Sequence, residues 1–268
     1  MNRNRTLAPL LLALAVILPA AAEGTSSLTV PISLSGITGS LTVTLDDLTG
    51  LNLANLGVTT RLVSPFDLVL LSRLPPNVSL ALAFPVLVRI EPPVDGGLAF
   101  TGATSVELQS ALNPLFPILP LRLFSAPLDG SFQDITQSRP NNKSYRALGA
   151  TGGFSEFLIV LDLTPRNQVI ANKLNRLDQI LADNAAAIDP TVLATLSAEV
   201  AAIRADFLGG NTTTALSDLD VFLATVDAHS GTDIPNVWRA TRDLVDVAGK
   251  LEAGGLTLRF SLEQGFLL

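Results

Sequence analysis

The 268-residue chain has no cysteine, one histidine, one tryptophan and one tyrosine. Without cysteine there is no disulfide, no thiol nucleophile, no thiolate metal site and no acylated cysteine behind a leader. A single histidine, His229, leaves little for zinc or for a Ser-His-Asp arrangement. No Gly-x-Ser-x-Gly elbow is present to supply a nucleophile. Scarce aromatics weigh against sugar platforms, and so against both a glycosidase and a lectin. Lysine is also rare: Lys143, Lys173 and Lys250 are the only ones, and arginine carries the remaining basic charge. That bias is read as genomic. Acidic residues outnumber basic ones, 24 to 17, for a net charge of −7. This balance disfavours nucleic acid and anionic membrane surfaces as partners and favours solubility.

The N-terminus is the most informative stretch. Arg3 and Arg5 precede an apolar run from Leu7 to Leu18, and Pro19-Ala20-Ala21-Ala22 supplies small residues. Charge, apolar core and small-residue exit follow one another as in a secretory signal peptide. The run is shorter than the roughly 20 apolar residues a membrane span needs. Cleavage is predicted after Ala22, an uncleaved anchor being the alternative. Loss of Arg3 and Arg5 would leave 15 basic residues against 24 acidic ones, a net charge of −9. No later segment has the length and purity of a transmembrane helix, so none is expected after cleavage.

Beyond the leader the composition changes near Thr164-Pro165. Before that point apolar and polar residues alternate. Leu28, Val30, Ile32 and Leu34 form one face, Leu41, Val43 and Leu45 another, and the turn Ser35–Gly39 joins them as a hairpin. Further strands are predicted at Val58–Val63, Phe66–Leu71, Val78–Ile90, Leu98–Leu108, Leu119–Phe124, Ser131–Gln137, Ser144–Leu148 and Phe154–Leu163. Dense Pro, Gly and Asn turns separate them, the pattern of a β-sandwich or barrel.

After Thr164 the period becomes helical. Thr164-Pro165 and Asp189-Pro190 read as caps with Pro at the first helical position. The apolar stripes are Ile170-Leu174-Leu177-Leu181, Leu193-Leu196-Val200-Ile203-Phe207 and Ala215-Leu219-Phe222-Val226. A fourth helix is predicted from Asp233-Ile234-Pro235, with stripe Val237-Thr241-Leu244-Ala248-Leu251 and a stop at Gly254-Gly255. Leu256, Leu258, Phe260 and Leu262 then alternate again, which predicts a last strand returning to the sheet. The expected fold is α+β: an antiparallel β-sandwich-like domain (23–163 plus 256–268) behind a signal peptide (1–22), with an inserted four-helix bundle (164–255).

Within the helices, Leu208-Gly209-Gly210-Asn211 is followed by Ala215, Leu219, Phe222, Val226, Ala228 and Gly231 at a familiar spacing. From about Lys173 to Lys250 the chain resembles the FIMAH-type helical module of secreted bacterial proteins. It departs from that module at Pro235, Asn236 and Trp238, and in preceding a terminal strand. The resemblance implies an accessory, interaction-mediating role outside the cytoplasm and carries no catalytic residues with it.

Several residues could bear chemistry. His229 as a general base competes with its placement in the last turn of a helix, where partial positive charge suits the helix dipole. Glu91, Glu107 and Glu156, on strands or at their ends, could act in pairs on a glycoside if a cleft brought two of them together. Asp46-Asp47 is the better calcium candidate, since Asp218 and Asp220 lie two apart on a helix and do not face each other. Asn77, Asn142 and Asn211 open glycosylation acceptor triplets. Trp238, with Arg239 and Arg242, is either a partner-binding anchor or a clamp that docks the helices on the sheets through an arginine–carboxylate pair.

The composite expectation is an exported, non-enzymatic protein without cofactor or metal, acting through an envelope or extracellular partner. A hydrolase of an envelope or extracellular polymer using paired carboxylates is the first alternative. A carrier of apolar ligands is the second.

Overall fold

A computed structural model describes residues 25–111, 120–138 and 145–264. The leader, the terminal 265–268 stretch and the Asn142 acceptor triplet lie outside the described residues. In chain order the first elements are β1 (Ser26–Leu34), β2 (Ile37–Thr49), α1 (Leu53–Leu56), β3 (Val58–Leu62), α2 (Leu68–Leu71), β4 (Val78–Leu80), β5 (Val86–Ile90) and β6 (Ala99–Ser110). Then come β7 (Leu121–Ala126), β8 (Gln133–Asp134), β9 (Thr136–Ser138), β10 (Tyr145–Thr151) and β11 (Glu156–Asp162). The remainder is α3 (Arg166–Asp183), α4 (Pro190–Leu208), α5 (Thr212–His229), β12 (Val237–Arg239) and α6 (Val247–Glu263). The fold is α+β, with two antiparallel six-stranded sheets.

The first sheet runs β1-β2-β6-β10-β9, with β12 also paired to β6. Its leading hairpin is tighter than the sequence predicts: Leu34 sits opposite Ile37, and the turn is Ser35-Gly36 alone. Both turn residues have positive φ, 45° and 87°, the geometry that matches strand twist in a two-residue hairpin. The alternation does what it promises, burying Leu41, Val43 and Leu45. The second sheet runs β3-β5-β11-β7-β8, with β4 beside the distal half of β11. Val86, Val88, Leu123, Phe157 and Ile159 from this sheet join the β2 and β6 side chains in one apolar cluster.

Strand β11 is buried on both faces. Leu158 and Val160 point away from the shared core into a second cluster with Leu70, Leu80, Phe124 and Phe132. The segment carrying α2 supplies part of that cover and corrects an expected strand at Phe66–Leu71. Asp67 accepts a hydrogen bond from the Leu70 N–H at 3.0 Å and caps a single helical turn. Leu70 goes inward, while Phe66, Leu68 and Val69 remain exposed.

The long helices form largely where their stripes predict. Asp189 caps α4 by accepting from the N–H groups of Thr191 and Val192, with Pro190 at the first position. At α3 the cap is Pro165 rather than Thr164, without a side-chain bond. Apolar faces of α3, α4, α5 and α6 meet in one cluster around Leu177, Leu196, Phe222 and Leu258.

The C-terminal region departs from expectation. Residues 256–262 are not a strand; they belong to α6. The predicted fourth helix is replaced by β12, where Trp238 pairs with Phe100. Asp246 rather than Asp233 then caps the last helix. The physical reason is two-sided burial. Eleven of the 17 residues of α6 are buried, because one face meets the helices and the other lies on the first sheet. A helix buried almost all round loses its single stripe, and Leu256-Leu258-Phe260-Leu262 then imitates a strand. Gly254 and Gly255 are not terminators either. A Cβ at Gly254 would lie 2.6 Å from a Leu177 methyl, and one at Gly255 2.6 Å from a Leu223 methyl. Their missing side chains let the neighbouring helices close in.

The N-terminus of α6 docks on a bulge in β6. Thr101 pairs with Asp46 and Ser105 with Thr44, so the residues between them leave the ladder. The freed Ala103 N–H donates to Glu252 of α6 at 3.0 Å. Gly249 presses on Gly102: a Cβ there would meet the Gly102 carbonyl carbon at 2.6 Å and its oxygen closer still.

Candidate functional site

A groove of about 610 Å³ opens where the β7–β8 side of the second sheet and the Thr151–Ser155 turn face α3 and α6. Its apolar lining includes Phe124, Phe132, Ile135, Phe154 and Ile180. Its polar lining includes Asp134, Asp162, Asn172, Lys173, Arg176 and Lys250. Five separate stretches of chain therefore build it, and none contains a recognisable motif.

At the floor, Lys173 of α3 is buried. Its Nζ lies 2.9 Å from Asp134 Oδ2 and donates to the Thr257 carbonyl of α6 at 2.9 Å. Asp134 is held in place by the Thr136 N–H, which donates to its other oxygen at 2.8 Å. Burial lowers the proton affinity of Lys173, against the opposing pull of Asp134. One lysine thus joins α3, α6 and the sheet edge. Asp162 accepts from the Thr164 N–H at 2.8 Å and shapes the turn into α3.

Nearer the mouth the balance differs. Lys250 is partly buried, and burial lowers its proton affinity, with a further lowering from the neighbouring charge of Arg176. Gly152 stands directly against it: a Cβ there would lie 2.6 Å from Lys250 Cα. Thr151 Oγ1 donates to the Gly153 carbonyl at 2.9 Å and shapes this turn.

A protein-family model matches residues 6–265. The chain belongs to DUF6689, a family of unknown function. No curated protein matches it.

In this DUF6689 member, the residues singled out by sequence lie mostly away from the groove. Trp238 touches the lining through Phe154. It stacks on Phe100 with centroids 5.0 Å apart and meets Phe154 edge-on at 5.2 Å. Arg239 pairs with Asp243 at 3.6 Å, and Arg242 with Glu91 at 3.6 Å, both on the surface. Both ring partners of Trp238 lie in the β-part, on β6 and on the turn between β10 and β11. His229 Nδ1 lies 2.6 Å from Asp233 Oδ2, at the end of α5 and outside the groove lining.

The three glutamates do not gather in a cleft. Glu107 pairs with Arg146 at 3.0 Å on the first sheet. Glu156 is buried between Arg73, at 2.5 Å, and Arg89, at 2.8 Å. Burial pushes the Glu156 carboxyl up, but hydrogen bonds from Arg89 and Arg73 outweigh it and hold it below the usual range. Arg73 also donates to the Gly130 carbonyl, so Glu156 fastens the α2 segment to the turn before β8. Asp46 accepts from Thr25 Oγ1 at 2.6 Å, and Asp220 pairs with Arg259 of α6. Among the described residues no cluster of His, Asp or Glu is arranged to hold a metal ion, and no helix is long and apolar enough to cross a membrane.

The groove residues escaped sequence reading, yet a signal was there. Lys173 falls between Ile170, Leu174 and Leu177, on the apolar stripe of its own helix. A lysine on such a stripe must be buried with a partner or at the edge of a cavity.

Proposed function

We propose that this protein is an exported, non-enzymatic binding protein of the cell envelope or extracellular space, with the groove as its binding surface. In this reading the two sheets are a β-sandwich, the four long helices a bundle, and the groove the seam between them. The groove carries the proposal: its volume of about 610 Å³ lies in the ~300–1,000 Å³ range of small-ligand sites, and it combines aromatic walls with a few polar groups. The Arg3-to-Ala22 leader supports export. The accessory role implied by the FIMAH-type resemblance points the same way. The paired-carboxylate alternative draws no support from Glu91, Glu107 and Glu156, each of which is bound to an arginine.

Two measurements test this reading. Expressed from its first methionine in a bacterial host, the chain is expected outside the cytoplasm with Glu23 as its N-terminus by mass spectrometry. Retention in the cytoplasm with the leader intact would defeat the export half. The uncharged fluorescent probe N-phenyl-1-naphthylamine is expected to brighten on binding the purified protein. Asn172→Trp, which changes an exposed α3 residue lining the groove, is expected to abolish that signal with folding intact. Equal binding by this variant would remove the groove from consideration.

A further inference from the structure

We propose that the groove binds an amphiphilic organic anion, a carboxylate or phosphate head on an apolar body, with the head held by Lys250 and Arg176. The inference rests on the groove being the binding surface and adds the chemical class of its ligand.

Charge pairing carries it. Almost every cationic side chain among the described residues is spoken for. Arg61, Arg73, Arg89, Arg146, Lys173 and Arg204 are in ion pairs. So are Arg239, Arg242 and Arg259. Arg122 reaches Gln264, and Arg166 donates to the carbonyls of Ser261 and Leu262. Arg176 and Lys250 are the two left without an ion pair or a hydrogen bond among the described residues, and both line the same groove. Arg176 is close enough to disfavour the charge on Lys250. Asp183 and Asp246 lie within electrostatic reach of Lys250 but form no ion pair with it.

A chain of net charge −7 has carboxylates to spare for its cations. Two unpaired cations placed together, one of them partly buried, make a site whose desolvation cost an incoming anion offsets. The remaining wall sets the rest of the ligand. Phe132, Ile135 and Phe154 offer apolar surface to a body far larger than a bare inorganic ion. The close approach of Gly152 to the Lys250 backbone leaves no room for a side chain at that wall.

The test uses the whole protein and defined probes, all below their micelle concentrations. Laurate and dodecyl phosphate are compared with uncharged dodecanol and with inorganic phosphate, by calorimetry and by the emission of Trp238. That residue suits the purpose because a Cβ on groove-lining Gly153 would touch its indole nitrogen at 3.6 Å. At least one of the two amphiphilic anions is expected to bind about tenfold more tightly than dodecanol. Lys250→Met and Arg176→Gln are each expected to weaken that binding about tenfold while leaving dodecanol unchanged. Arg176 is exposed, so its variant reports on the site even if the Lys250 variant folds poorly. If dodecanol binds as tightly as both anions and neither variant matters, the groove reading survives and the anion proposal falls. Phosphate binding as tight as dodecyl phosphate would overturn the amphiphile. If N-phenyl-1-naphthylamine and all the lipidic probes fail to bind, both readings fall together.

Discussion

Asp134→Ala is expected to lower the unfolding free energy by about 4 kcal/mol, the scale for breaking one partner out of a buried ion pair. The side chains of Lys173 and Asp134 are 6% and 9% exposed, so the pair is largely withdrawn from water. Among the described residues the orphaned ammonium keeps the Thr257 carbonyl as its hydrogen-bond partner and the Phe260 ring 5.9 Å away. Replacing both partners with apolar residues of similar size, Lys173→Met with Asp134→Leu, is expected to recover most of the loss, because two desolvation costs vanish with the one attraction. Chemical denaturation of Lys173→Met, Asp134→Leu and the double variant measures the coupling. Additive losses would show that the pair does not hold α3 to the sheet edge.

Asp246→Asn is expected to stabilise the protein above neutral pH by up to about 4 kcal/mol. Asp246 is fully buried at the start of α6, where its Oδ1 accepts from the Gly249 N–H at 2.7 Å. Its Oδ2 has no hydrogen-bond partner among the described residues. Burial pushes the carboxyl up to about 7, with Glu252 adding to the rise. The folded protein therefore binds this proton more tightly than the unfolded chain does. Stability from this group is fully present below about pH 4, is lost as pH rises to about 7, and stays lost above it. At 1.36 kcal/mol per tenfold change in proton affinity, the loss is on the order of 4 kcal/mol. Asparagine keeps an acceptor for the Gly249 N–H and cannot ionise. Burial raises the Glu252 carboxyl too, so the parent's slope has more than one source, and the difference between parent and variant isolates Asp246. Denaturation curves at pH 4, 6 and 8 supply that difference. Parallel pH profiles would mean the buried carboxyl does not titrate in this range.

Local pattern was legible where an element buries one face. The β1–β2 alternation and the stripes of α3, α4 and α5 each have a buried side and a wet side, so periodicity reports burial directly. It failed where burial is two-sided or set by distant chain. In α6 the sheet covers one face and the helices the other, and the same leucines read as a strand. At β12 a predicted helix yields to pairing with β6 and stacking on Phe100. At Phe66–Leu71 an Asp67 cap outweighs a run of strand-forming residues. The groove was the least visible feature. Lys173, Arg176 and Lys250 come from two helices separated by the whole of α4, α5 and β12.

By themselves the residues determined what chemistry is out of reach, where the one-sided strands and helices lie, and the charge of the molecule. These are properties of composition and of local period. Tertiary structure alone decided that the last apolar run is a helix, that Asp134 and Lys173 meet, and that two cations with no ion pair among the described residues share one groove. Those outcomes depend on which surfaces remain to be covered once the two sheets and the helices pack together, and that is settled between elements rather than within any one of them.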